Sequence, residues 1–191
     1  MKTLIIHPED VTTDFLKPIY ETIPVKTVVT GGISKEALRE LIGSHDRIMM
    51  LGHGSPWGLL SVGRFPDAGL HLVDNSMAEL LKTKENNVFI WCYAQKFVED
   101  NDLEGFYSGM FISEVLESKM MGLTGIDQSV VDQSNDSFGS IAGRYINERN
   151  PEVICKKIRQ DYGKNKNNPV ICYNNARLNY YLRQEIGRAH V

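Results

Sequence analysis

Ile48-Met-Met-Leu51 is an apolar run without a polar interruption. A run of that kind and length predicts a strand buried on both faces of a parallel sheet. It stops at Gly52, and His53 follows, held between that glycine and Gly54. A second run, Val88-Phe-Ile-Trp91, ends in Cys92. Open α/β sheets take their ligands at the C-terminal mouths of their strands. Two buried strands are therefore expected to deliver an imidazole and a thiol, 39 residues apart in sequence, to one sheet edge.

The remaining chain supplies the alternation that such a sheet requires. Residues 2–7 read as a first strand, and 14–22 as about two helical turns limited by Pro18. A second strand over 26–30 stops at Gly31-Gly32. Ser34 is placed to cap a helix over Lys35–Ser44, with Ala37, Leu38, Leu41 and Ile42 on one face. Residues 56–69, rich in proline and glycine, read as a loop with a small hairpin at 59–62. A helix capped by Asp74 or Asn75 is expected over 76–84. Beyond Cys92, residues 97–106 read as loop, 108–121 as a helix stopped by Gly122, and 123–126 as a short fifth strand. Residues 128–137 are polar and read as exposed. Helices are expected over 138–148 and over Pro151–Tyr162, the latter capped by Asn150 with Pro151 in its first turn. A polar linker at 163–168 leads to a final helix over 171–183. Strands alternating with helices predict the fold class: α/β, a single domain, a three-layer sandwich around a mainly parallel sheet.

The chain of 191 residues is long enough for a core without disulfide or metal staples. Its composition, 42% hydrophobic and 24% charged, is that of a globular domain, and a net charge of −3 without a basic cluster argues against a nucleic-acid partner. No apolar run approaches the ~20 residues that span a bilayer, so no membrane partner is expected. The apolar stretch near the N-terminus is too short for a signal peptide and reads as a strand. Cysteines at 92, 155 and 172 are an odd number without metal-ligand spacing, so a reducing, cytoplasmic setting is expected. Cys155 and Cys172 read as core residues. No spacing among His45, His53 and His71 supports a metal site, and no cofactor is expected. Residues 186–191 match a translated sequencing-adapter start and read as a non-native tail behind a domain spanning 1–185. His190 is excluded from the site for that reason.

A buried thiol is commonly a small core residue, and a histidine between glycines commonly caps a strand end. On successive β-α units the two suit nucleophile and base, because a thiol near neutral pH needs a neighbouring base. An apolar strand followed by His53-Gly54, then a later apolar strand ending in Cys92, resembles the caspase-like cysteine peptidases. The pattern is most similar to bacterial branches such as CHAT-type domains, gingipains and clostripain. The resemblance covers about residues 2–126. It implies an α/β sandwich around a six-stranded sheet, a catalytic dyad of His53 and Cys92, and an oxyanion hole from the backbone N–H groups of Gly54 and Cys92. The implied reaction is acyl transfer on a peptide or protein substrate.

The departures fall at the specificity positions. Caspases carry Gln-Ala-Cys with a glycine two places on, where this chain has Ile90-Trp-Cys-Tyr-Ala94. Metacaspases place an aspartate two residues before the cysteine, and Ile90 stands there. Asp127 is a candidate for a pocket taking a basic side chain, or else a helix or turn cap. Trp57 is a candidate pocket wall, or else a cover for the sheet edge. No phosphate-cradling loop follows Cys92, and the order His then Cys is opposite to that of a glutamine-amidotransferase elbow. Two alternatives remain at this point: an inactive module of the same fold that binds a peptide or protein, and a small-molecule hydrolase on a flavodoxin-like sheet.

Overall fold

The structure, a computed structural model, describes residues 1–183, so the segment 186–191 lies outside the described residues. β1 (Thr3–Ile6) lies in parallel between β2 (Lys26–Val29) and β3 (Arg47–Leu51). β3 pairs in parallel with β7 (Asn87–Ile90), and β7 with β8 (Gly105–Ser108). β9 (Leu178–Tyr181) closes the sheet antiparallel to β8. The six-stranded order is β2-β1-β3-β7-β8-β9. Every residue of β1, β3 and β7 is buried, the apolar runs together with the polar residue that opens each strand, whereas three of the four residues of edge strand β2 are exposed.

Alternating side chains feed two cores. Leu4, Ile6, Ile48, Met50 and Phe89 face α2 (Lys35–Ser44), α3 (Ala78–Leu81) and α4 (Ala94–Asp100). Ile5, Met49, Leu51, Val88 and Ile90 face α1 (Lys17–Glu21), α6 (Gln128–Tyr145) and α7 (Pro151–Tyr162). The result is the expected single-domain, three-layer α/β sandwich. Several caps are those the sequence suggests. Ser34 Oγ accepts the Ala37 N–H at 3.0 Å to open α2, and Asn150 Oδ1 accepts the Glu152 N–H at 2.7 Å to open α7 behind Pro151.

A second, three-stranded antiparallel sheet grows from the end of β3. It joins β4 (Gly54–Ser55), β5 (Gly58–Leu60) and β6 (His71–Val73) in the order β4-β5-β6. The hairpin expected at 59–62 is therefore placed earlier and begins right after His53. A 3-10 turn over Val11–Leu16 precedes α1, and another over Asn75–Met77, capped by Asp74, precedes α3.

Several expectations need correction. Residues 97–106 are not a loop: α4 starts at Ala94 and β8 is the true fifth strand. No side chain caps α4, because Tyr93 adopts a left-handed conformation (φ 67°) and the Ala94 N–H turns back to the Trp91 carbonyl. Residues 123–126 form no strand, and the helix expected over 108–121 is only α5 (Val115–Met120). The polar stretch 128–137 is the first half of α6. Its buried face includes Ser134, Asn135, Gly139 and Gly143, which dilutes the hydrophobic period. A Cβ at Gly139 would lie 2.2 Å from the Phe15 carbonyl oxygen, and one at Gly143 2.4 Å from that of Pro18, so the small residues let α6 press onto the first helical segment. The final helix is only α8 (Pro169–Asn175), after which the chain extends into β9. Cys155 is buried as expected, but Cys172 is exposed.

Candidate active site

β3 and β7 are neighbours in register, with Leu51 opposite Ile90. The ladder continues one step further, through the Gly52 N–H to the Ile90 carbonyl at 3.0 Å. His53 and Cys92 each lie two residues beyond that register pair, on strands spaced about 4.8 Å apart. Their parity matches too, since Leu51 and Ile90 face the same core. Both residues line one narrow crevice with Thr13, Phe15, Leu16, Ile90, Phe111 and Ser113. Phe15 and Phe111 stack across it, ring centroids 6.1 Å apart.

Trp91 ties the two strand ends together. Its buried indole donates Nε1–H to the Ser55 carbonyl at 3.0 Å and lies against Gly54. A Cβ on Gly54 would be 1.9 Å from Trp91 Cδ1, so only glycine fits. The Leu60 N–H donates to the His53 carbonyl at 2.9 Å, which makes Gly54 and Leu59 the non-hydrogen-bonded pair of the hairpin. The Gly54 N–H therefore points away from β5. The Cys92 N–H has no acceptor among the described residues. The resemblance implies these two N–H groups as oxyanion donors.

The imidazole is held from the other side. Its Nε2 lies 2.7 Å from Thr12 Oγ1 and 3.8 Å from an Asp10 carboxylate oxygen. Asp10 Oδ1 accepts both the Thr12 N–H at 2.9 Å and the Thr12 hydroxyl at 2.7 Å, and these bonds hold its carboxyl below the usual range. Thr13, next along, bonds a second histidine. His7, buried at the end of β1, lies between Thr13 Oγ1 at 3.0 Å and the Tyr20 hydroxyl at 3.1 Å. Burial pushes its pKa down to about 4.

The thiol is engaged away from the imidazole. Cys92 Sγ lies 3.4 Å from the Phe111 carbonyl and 3.8 Å from Glu117 Oε1, and no hydrogen bond joins it to His53 among the described residues. The other Glu117 oxygen accepts the backbone N–H groups of Ser113 and Glu114, the capping box that opens α5. Burial, and then the Glu117 carboxylate, push the Cys92 thiol up to about 12.

Comparison with models of protein families, with curated proteins and with solved structures finds no match for this chain.

The other candidates lie further off. Trp57 sits exposed at the hairpin tip and does not line the crevice. Asp127 caps α6, accepting the Val130 N–H at 3.1 Å and the Ser129 hydroxyl at 2.7 Å. The acidic surface beside the crevice comes instead from Glu114, Asp132 and Asp136, in a depression that shares Phe15 and Ser113 with it and has no basic lining residue. Among the described residues no group of three or more His, Cys, Asp or Glu is placed to hold a metal ion, and no helix is long and apolar enough to cross a membrane. Sequence reasoning missed Asp10, Thr12 and Glu117. Asp10-Val-Thr12 carries a cap signal, but only tertiary structure brings it to His53.

Proposed function

We propose that the chain is a cysteine peptidase-like hydrolase with Cys92 as nucleophile and His53 as base. The observation that carries this reading is the placement of both residues two positions past one register pair, lining one crevice. The six-stranded sheet agrees with what the resemblance to caspase-like peptidases implies. In the proposed reaction, the Cys92 proton passes to a ring nitrogen of His53 and the thiolate attacks the scissile carbonyl. The Gly54 and Cys92 N–H groups hold the oxyanion, and the imidazolium protonates the departing amine. Water then hydrolyses the thioester and restores the thiol. The acidic depression beside the crevice makes peptides with basic side chains the first substrates to try.

A second reading has its own support: a thiol bonded to Phe111 and Glu117, with its pKa raised, suits a binding module that keeps the fold without catalysis. Incubating the protein and its Cys92→Ala and His53→Ala variants with a mixed peptide library separates the two. The hydrolase reading expects cleavage by the parent and a loss of about 100-fold or more in each variant. Binding of peptides without cleavage, unchanged in Cys92→Ala, would establish the module.

A further inference from the structure

We infer that Asp10 and Thr12 are positioning residues that fix the tautomer of His53, with the proton on Nε2 and the basic lone pair on Nδ1. The argument is one of donor accounting. An ionised carboxylate only accepts hydrogen bonds, and Asp10 Oδ1 lies 2.7 Å from Thr12 Oγ1, so the single hydroxyl proton of Thr12 is given to Asp10. The Thr12 oxygen then has only lone pairs left to offer. His53 Nε2, 2.7 Å away, must be the donor of that contact. In the neutral ring the other nitrogen, Nδ1, carries the lone pair and is the one left to take a proton.

The pair is built to hold this arrangement. Asp10 is the N-cap of the 3-10 turn over Val11–Leu16, and its Oδ1 takes the Thr12 N–H as well, so the turn orients the hydroxyl. Asp10 Oδ2, 3.8 Å from Nε2, adds a negative charge on the side of the ring that is to become positive. Arg64, ion-paired with neighbouring Glu9, adds a weaker favourable charge near this carboxylate. Asp10 thus reaches the imidazole by hydrogen bonds only through the threonine hydroxyl, and directly only by its charge.

The catalytic sense of this assignment rests on the hydrolase reading, but the tautomer does not. Long-range 1H–15N correlation spectra of the full chain, at a pH where His53 is neutral, should show a protonated Nε2 and an unprotonated Nδ1. His53→Gln identifies the signals. Thr12→Val should mix the tautomers, and Thr12→Ser should restore the parent pattern. A parent spectrum with the proton on Nδ1, or a Thr12→Val spectrum identical to the parent, overturns the inference. Where peptide turnover is measurable, Thr12→Val should lower kcat about tenfold with KM unchanged, and Thr12→Ser should recover it. A parent that shows the expected tautomer and cleaves no peptide supports the positioning and removes the hydrolase.

Discussion

Cys92 keeps its proton between two oxygens, the carbonyl of Phe111 and the carboxylate of Glu117. Ionising the thiol there sets two negative charges side by side, in addition to the cost of desolvation. Glu117→Gln removes the charge while its amide oxygen still accepts the N–H groups that open α5. Alkylation of Cys92 by iodoacetamide at neutral pH is expected to rise on the order of three- to tenfold in this variant, with helix content unchanged. An unchanged rate would mean that burial alone sets the reactivity of the thiol. The same pair shows what a sequence holds and what it hides. Cys92 was visible because an apolar run ends there, whereas Glu117 reads as one acidic residue on a short helix, and only folding sets it against sulfur.

At the scale of elements, the β4–β5 hairpin depends on one close contact. Gly54 rests on the Trp91 indole, and the indole N–H holds Ser55. Gly54→Ala should push the hairpin off the indole and cost about 1–3 kcal/mol. Urea denaturation measures that cost, and a midpoint equal to the parent's would show that the contact is looser than described. The elements also divide by how their apolar residues are spaced. β1, β3, β7 and α2 bury hydrophobic side chains at regular intervals, and all four were legible. β8 was not, because it opens with Gly105, where a Cβ would lie 2.4 Å from the Asn87 carbonyl oxygen. A residue that reads as a breaker is there to let two strands close. The first half of α6 is obscured for a related reason, since two of its three buried residues, Ser134 and Asn135, are polar. β9 reads as helix in sequence because four residues are too few to reveal an alternation.

The whole molecule carries a pH liability in His7. The unfolded histidine takes up its proton near 6.5, whereas the folded one does so only at about 4. Between those values the unfolded state binds more protons, so the stabilising effect is complete above 6.5 and is lost as pH falls toward 4. Its size is about 3 kcal/mol. The stability of the parent should drop across this window by about that amount more than that of a His7→Gln variant, as read from urea midpoints at several pH values. Parallel curves for the two proteins would place the acid sensitivity elsewhere.

The antiparallel strand β9 has a consequence for biosynthesis. Its partner β8 is made first, but α5, α6, α7 and α8 intervene before β9 emerges. Until then a nascent chain holds β8 as an open edge, with unpaired backbone groups able to recruit another chain. The pace of the ribosome across residues 109–181 sets how long that edge stays uncovered, and a stall there would favour aggregation over completion of the sheet.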